Sequence, residues 1–193
     1  MKRREDQFTK LARQRGYPAR SVYKLQEIQK KFHIIQRGDR VLDLGASPGS
    51  WSLFAARELK ARVVGIDVKE PDSVIKKTPG IQFLQGDLND VELGDTLKKL
   101  GPYEVVISDA APQTSGNRLV DTQRSYALTE RVLEIASDCL KARGHLVVKV
   151  FQGGSEADLR ERMRDIFHAV KTFKPSSSRK QSFETYLVGL GKI

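Results

Sequence analysis

Four charged side chains stand at positions where they could form a catalytic group: Lys24, Asp109, Lys149 and Glu184. Together two amines and two carboxylates can hold a hydroxyl group and activate it as a nucleophile. Lys149 lies inside an apolar run, where a lysine is rarely buried without a partner, and Asp109 is the obvious candidate. The helical pattern around Lys24 alone would instead indicate a solvated charge.

A glycine-bearing turn follows the first apolar run, with the sequence Asp43-Leu44-Gly45-Ala46-Ser47-Pro48-Gly49-Ser50-Trp51. Glycine permits a sharp turn and lets a ligand approach the backbone closely. We expect this turn to bind an adenosine-containing cofactor through Gly45, Ser47, Pro48, Gly49 and Trp51. In the alternative interpretation, the glycines only allow the chain to turn, and Trp51 belongs to the hydrophobic core. The dinucleotide pattern G-x-G-x-x-G is absent because Ser47 occupies its second glycine position, which argues against a nicotinamide cofactor.

Two further acids follow successive apolar runs. Asp67 lies 67 − 45 = 22 residues after Gly45, close to the roughly 20 expected for a carboxylate that binds ribose hydroxyls. Asp87 follows the next run, where its side chain could reach an adenine edge. Helix capping is the alternative role for both acids.

Apolar, β-branched runs alternate with helical patterns along the chain, which is typical of an α/β fold with a mostly parallel sheet. We predict strands at residues 40–44, 62–68, 81–85, 105–109, 145–151, 171–173 and 183–190, the last pair forming a hairpin. Predicted helices lie before the first strand and at residues 52–59, 122–140 and 156–170. The carboxyl ends of the strands gather the expected cofactor residues at one edge.

The chain has 193 residues and a formal net charge of +10, which indicates one domain, residues 1–193, with a polyanionic partner. Residues 1–20 carry seven basic residues against Glu5 and Asp6, so we expect an RNA-contacting arm there. A second basic contact is expected in the 175–180 loop, through Arg179 and Lys180. Tyr17 and Tyr23 either stack on bases or pack internally.

Other features exclude several classes of site. Cys139 is the only cysteine, so neither an internal disulfide nor a cysteine metal cluster is expected. His33, His145 and His168 are scattered without metal-ligand spacing. No apolar run reaches the roughly 20 residues that cross a bilayer, so we expect a cytoplasmic protein, without a membrane partner and monomeric.

The sequence resembles the FtsJ-type ribosomal RNA 2′-O-methyltransferases over nearly its whole length. The resemblance rests on five blocks, at residues 20–25, 43–52, 108–112, 147–153 and 177–186. Ser47 and Ser50 replace the alanine and glycine common in the turn, and Ala110 replaces a frequent methionine. The resemblance implies a Rossmann-like methyltransferase fold, S-adenosylmethionine as cofactor, and Lys24, Asp109, Lys149 and Glu184 as the catalytic tetrad.

The resemblance also implies that Lys149 is the proton acceptor and that the cofactor site is lined by Gly49, Trp51, Asp67, Asp87 and Asp109. It points to a uridine ribose in 23S-type RNA of the large ribosomal subunit. Three alternatives stay open: the same chemistry on transfer RNA or a messenger cap, a non-catalytic RNA-binding assembly factor, and a nucleotide-dependent oxidoreductase. Sequence leaves open whether Lys149 acts as a base or as an orienting cation, because Lys24 disfavours and the carboxylates favour a positive charge on its amine.

Overall fold

The computed structural model describes residues 6–113, 115–153, 156–179 and 181–193. Its strands are β1 (Arg40–Leu44), β2 (Arg62–Asp67), β3 (Ile81–Gln85), β4 (Tyr103–Ser108), β5 (Leu140–Phe151), β6 (Phe167–Phe173) and β7 (Glu184–Lys192). They form one sheet in the order β3-β2-β1-β4-β5-β7-β6. Strands β1 to β5 pair in parallel, whereas β7 runs antiparallel to both β5 and β6. The predicted mostly parallel sheet with a terminal hairpin is confirmed.

The helices are α1 (Gln7–Gln14), α2 (Val22–Phe32), α3 (Ser50–Arg57), α4 (Ser73–Lys76), α5 (Val91–Leu100), α6 (Arg118–Cys139) and α7 (Glu156–Arg164). Buried residues of α1 to α4 form a core with one face of the sheet. Those of α5 to α7 form a second core with the other face. Alternate strand residues point to opposite faces, so Val41 belongs to the first core and Leu42 to the second. Within the described ranges, no helix combines the length and apolarity needed to span a membrane.

The structure corrects several predicted boundaries. The predicted helix 156–170 ends at Arg164, and β6 begins at Phe167, because the backbone from there pairs with β7. Strand β5 begins at Leu140, directly after α6, rather than at residue 145. Helices α1, α4 and α5 were not predicted.

The basic N-terminal segment contains helix α1, and residues 15–20 follow it without regular structure. Helix α1 begins after Asp6, whose carboxylate caps it by accepting the Phe8 and Thr9 amide protons. Ala12 and Tyr17 are buried in the core, and Asp6 pairs with Arg20. This segment therefore packs on the domain. Lys2, Arg3, Arg4 and Glu5 lie outside the described residues, as does Lys180.

Candidate active site

Strand register places three of the four tetrad residues on one face of the sheet. In the β5–β7 ladder, Lys149 lies opposite Tyr186 and Phe151 lies opposite Glu184. Because residues two apart share a face, Lys149, Tyr186 and Glu184 project to the same side. Ser108 pairs with Val148 in the β4–β5 ladder. Asp109 directly follows Ser108 and therefore lies beside Lys149.

Helix α2 brings the fourth residue to the same face. Val22, Leu25 and Ile28 are fully buried against the sheet, and this packing holds Lys24 over the strand ends. Lys24 is only 9% exposed, so the reading of a solvated helix charge is wrong.

The four charged groups form one connected cluster, hereafter the tetrad. Lys24 Nζ lies 2.7 Å from Glu184 Oε1 and 3.7 Å from Asp109 Oδ1. Lys149 Nζ lies 3.1 Å from the same Asp109 oxygen and donates to the Asp109 carbonyl oxygen at 2.5 Å. Two cations and two anions balance within this nearly buried group, which offsets part of the cost of burying each charge.

Tyr186 is a site residue to which the sequence analysis gave no role. It is fully buried, and its hydroxyl donates to Asp109 Oδ1 at 2.6 Å. Burial opposes ionisation of Asp109, but Lys149, Lys24 and the Tyr186 hydroxyl outweigh it and lower the pKa of the carboxyl group. Burial, reinforced by Asp109 and Glu184, raises the pKa of Tyr186 well above its ordinary value. Asp109 is therefore an anion and Tyr186 a neutral donor.

The glycine turn has the predicted strand–turn–helix context. Gly45 has φ +77°, and a Cβ atom there would lie 2.5 Å from Ala110 Cβ. Gly49, with φ +110°, is the N-cap of α3. These positions require glycine because L side chains rarely adopt positive φ and β1 approaches the end of β4 closely.

The serines and the tryptophan of the turn anchor it. Ser50 Oγ accepts the Ala19 amide proton at 2.7 Å and donates to the Ala19 carbonyl oxygen at 3.1 Å. Trp51 is 3% exposed, and its Nε1 donates to the Ser21 carbonyl oxygen at 2.8 Å. The turn is thereby tied to the segment that enters α2, and Trp51 occupies a core position. Pro48 contributes through its carbonyl oxygen, which accepts the Asp72 amide proton.

Asp67 and Asp87 lie at adjacent strand ends, as predicted. Asp67 accepts amide protons from Ser47 at 3.0 Å and Lys69 at 2.8 Å. The Gly86 amide donates to the Asp67 carbonyl oxygen, which places Asp87 beside this strand end. Asp87 is exposed, and its Oδ1 accepts both amide donors of Asn89. Both acids thus organise their own turns, and their carboxylates retain acceptor lone pairs.

Asp43 is a second acid that the sequence analysis did not single out. It is 1% exposed and accepts a hydrogen bond from Ser52 Oγ at 2.6 Å. Burial raises the pKa of Asp43 to about 7, with a smaller contribution from Asp109. An acid within an otherwise apolar strand was the signal that could have indicated this site.

A cavity of about 550 Å³ opens beside the tetrad, hereafter the tetrad cavity. Its walls include Lys24, Glu184, Arg20 and Arg179, so the entrance is basic. A smaller space of about 30 Å³ lies at the glycine turn and touches Asp43 and Asp109. Asp109 therefore stands between the turn and the tetrad cavity.

The chain belongs to the family described as FtsJ-like methyltransferase, which matches residues 17–192. The fold and the clustered site thus define a methyltransferase. Among its relatives is the ribosomal RNA large subunit methyltransferase E of Treponema denticola, 46% identical over 187 residues, or 96% of this chain and 94% of that protein. The protein of the same name from Oleidesulfovibrio alaskensis is 45% identical over 195 residues, or 99% and 93%.

Solved structures agree with this assignment. A putative ribosomal RNA methyltransferase from Plasmodium falciparum superposes with a TM-score of 0.79 at 28% identity, covering 91% of this chain and 98% of that one. The MycE methyltransferase of mycinamycin biosynthesis is 16% identical with a TM-score of 0.60, covering 98% of this chain and 50% of that one. The second likeness concerns the fold alone.

Proposed function

We propose that this protein transfers a methyl group from S-adenosylmethionine to the 2′-hydroxyl of a ribose in large-subunit ribosomal RNA, with a uridine as the expected nucleotide. The observation that carries the proposal is the tetrad, which connects Lys24, Asp109, Lys149 and Glu184 at the mouth of a basic cavity. The names of the relatives supply the RNA class.

The residues of the turn fit the proposed cofactor. Gly45 and Gly49 keep side chains off the backbone where β1 turns into α3. Asp67 keeps lone pairs for ribose hydroxyls, and exposed Asp87 is available to the adenine. We assign Gly45, Ser47, Pro48, Gly49, Trp51, Asp67, Asp87 and Asp109 to this site, Trp51 acting mainly through its packing. The cofactor supplies an activated methyl group on a sulfonium, so that the protein need provide only orientation and proton handling.

The tetrad is arranged to hold the ribose hydroxyl and to accept its proton. Lys149 Nζ is held by two oxygens of Asp109, which leaves one of its tetrahedral positions for the substrate hydroxyl. Lys24 is held by Glu184 and adds a positive charge that stabilises the developing alkoxide. We assign the proton-acceptor role to Lys149, which enters the step as the neutral amine, with its two N–H groups on the Asp109 oxygens and its lone pair toward the ribose hydroxyl. The accepted proton is afterwards released to solvent.

Methyl transfer is tested by incubating the protein with radiolabelled S-adenosylmethionine and total RNA, followed by mapping of methylated riboses. We expect one labelled position in large-subunit RNA, and a 2′-deoxyribose at that position should abolish transfer. Label in transfer RNA or in capped messenger RNA would refute the substrate assignment. RNA binding without any label would identify a non-catalytic factor instead.

The role of Lys149 is tested separately with Lys149→Arg, because arginine keeps the charge but does not deprotonate in proteins. We expect a loss of roughly 100-fold or more in kcat, with cofactor affinity retained. Substantial activity of Lys149→Arg, with an unchanged pH–rate profile, would show that this side chain acts as an orienting cation.

A further inference from the structure

A second groove lies on the outer side of α2, hereafter the α1–α2 groove. It has a volume of about 640 Å³, and its walls include Phe8, Tyr23, Glu27, Lys30, Lys31 and Phe173. No tetrad residue lines it, although the sequence predicted RNA contacts from residues 1–20 and left base stacking open as a role for Tyr23. Phe8 is an exposed aromatic side chain, 38% accessible, at the rim of this groove.

The α1–α2 groove and the tetrad cavity are neighbours. Tyr23 and Lys24 are consecutive on α2, the first lining the groove and the second the tetrad cavity. Arg20 is the shared wall, because it lines the tetrad cavity while its guanidinium carbon lies 5.1 Å from the centre of the Phe8 ring. A strand whose target ribose enters the cavity can therefore continue into the groove.

The aromatic side of the groove is preorganised. The Phe8 and Tyr23 rings lie 5.3 Å apart at 49°, with Tyr23 buried beneath the exposed Phe8. The Arg20 guanidinium also lies over the Phe8 ring, so a base would stack on the part of the ring that stays exposed and beside that guanidinium.

The charges of the groove suit a phosphate. Lys30 and Lys31 are exposed in the last turn of α2, and Lys31 Nζ lies 4.7 Å from the Phe173 ring centre. The one acid, Glu27, accepts hydrogen bonds from the Ser176 and Ser177 amides and from Ser176 Oγ. Its carboxylate is thus engaged by the 174–183 segment, and the lysines dominate the rim.

We propose that the α1–α2 groove binds a single-stranded nucleotide adjacent to the methylated one, with its base stacked on Phe8 and its phosphate contacted by Lys30. This inference rests on the proposed function, since it assigns the groove to the same RNA strand. The combination of an aromatic platform with lysines distinguishes a nucleotide from an apolar protein segment, for which the lysines would serve no purpose.

The stacking contact is tested with Phe8→Leu and Phe8→Trp, using a fluorescent single-stranded oligonucleotide that contains the target sequence. Leucine keeps apolar volume but removes the π face, whereas tryptophan keeps it. We expect Phe8→Leu to weaken oligonucleotide binding by roughly 5-fold to 100-fold, and Phe8→Trp to bind within about threefold of the wild type. Equal affinity of Phe8→Leu and wild type, with both variants folded, would overturn the proposal.

The phosphate contact is tested with Lys30→Ala against Lys99→Ala. Both lysines are exposed in the last turn of a helix, but Lys99 belongs to α5, away from the groove. We expect Lys30→Ala alone to raise the KM for RNA and to reduce the slope of log affinity against log salt by about 0.7, while kcat at saturating RNA is unchanged. The same small effect in both variants would contradict a specific contact.

These outcomes separate the two proposals. If the wild type binds the oligonucleotide and Phe8 matters, but no methyl group is transferred, the proposed function fails and the groove stands as an RNA site. If methyl transfer proceeds and Phe8→Leu and Lys30→Ala leave KM unchanged, the groove proposal alone fails. An effect of Phe8→Leu on binding of a protein partner but not of RNA would assign the groove to that partner.

Discussion

The Tyr186 hydroxyl donates to Asp109 Oδ1 at 2.6 Å, and the same oxygen lies 3.1 Å from Lys149 Nζ. Lys149 on β5 and Tyr186 on β7 lie opposite each other, and both contact the same oxygen of the Asp109 carboxylate. This arrangement fixes the rotation of the Asp109 side chain and, through it, the position of the Lys149 amine. Tyr186 is therefore a positioning residue for the tetrad.

Tyr186→Phe removes one hydrogen bond to an ionised group and leaves the ring packing intact. We expect kcat to fall by about tenfold or more, since such bonds contribute about 1.5 to 3 kcal/mol. The bond helps to lower the pKa of Asp109, so its loss raises that pKa and moves the acidic limb of the pH–rate profile to higher pH. Steady-state kinetics across pH measure both effects.

Tyr103→Phe is the matched control for Tyr186→Phe. Tyr103 is also fully buried, but among the described residues its hydroxyl has no hydrogen-bond partner. Removing this hydroxyl should leave activity unchanged and should not destabilise the fold. A similar loss of kcat in both variants would mean that Tyr186 acts only through general packing.

Gly45→Ala tests the close approach of the backbone at the glycine turn. We expect it to lower the free energy of unfolding by about 1 to 3 kcal/mol more than Gly38→Ala does. Both glycines have positive φ, but a Cβ at Gly45 would lie 2.5 Å from Ala110 Cβ, whereas nothing lies within 4 Å at Gly38. Urea unfolding of the two variants measures the difference. Equal losses would show that backbone strain alone explains the requirement for glycine.

Asp43→Asn tests the buried acid beside the turn. Because its folded-state pKa of about 7 exceeds the ordinary 3.8, Asp43 contributes stability that is fully present below about pH 4 and is lost as pH rises through about 7. Asparagine does not titrate, so the variant should gain at least about 1 kcal/mol relative to the wild type between pH 4 and pH 8. Denaturant titrations at several pH values measure this gain.

The exposed acid Asp95 on α5 provides the control for Asp43. Asp95→Asn should leave the pH dependence of the free energy of unfolding close to that of the wild type. A flat difference between Asp43→Asn and the wild type across the same pH range would show that the Asp43 carboxyl titrates normally.

Glu27→Gln tests how the loop that carries Arg179 is held. The Glu27 carboxylate accepts three hydrogen bonds from Ser176 and Ser177. In glutamine an NH2 group replaces one carboxylate oxygen, and this group cannot accept a hydrogen bond from the serine donors that it faces. We expect the loop to loosen and the KM for RNA to rise by roughly tenfold, with a smaller effect on kcat.

Glu161→Gln is the control for Glu27→Gln, because Glu161 is an exposed acid on α7 that pairs only with Arg164 among the contacts described. This variant makes the same change of charge, so its KM should match that of the wild type. Loss of a carboxylate makes the protein more positive, which by itself favours RNA binding and lowers KM. An equal fall of KM in both variants would therefore show that net charge dominates over the loop.

Local sequence pattern was sufficient to predict the bounds of two parallel strands and insufficient to predict those of the hairpin. Strands β1 and β3 match their predicted bounds because short apolar runs between turns have few alternative structures. The first part of β6 was predicted as helix, since its strand structure depends on pairing with β7 about 20 residues later. Pairing between strands this far apart cannot be recognised from a short stretch of sequence.

A site residue could be predicted from the sequence where its type did not fit the hydrophobic pattern of the residues around it. Lys149 is conspicuous as a charge in an apolar strand, whereas Lys24 fits a solvated helix face and was assigned only by resemblance. The role of Tyr186 follows from the β5–β7 register, and that of Glu27 from contacts with residues about 150 positions away. Neither relationship can be read before the chain is folded.

The tetrad joins positions far apart in the sequence, because Lys24 and Glu184 are separated by 184 − 24 = 160 residues yet lie 2.7 Å apart. A variant truncated before Glu184 would lack this carboxylate and the strand that pairs with β5. Such a truncated variant should be inert even though it retains the entire glycine turn.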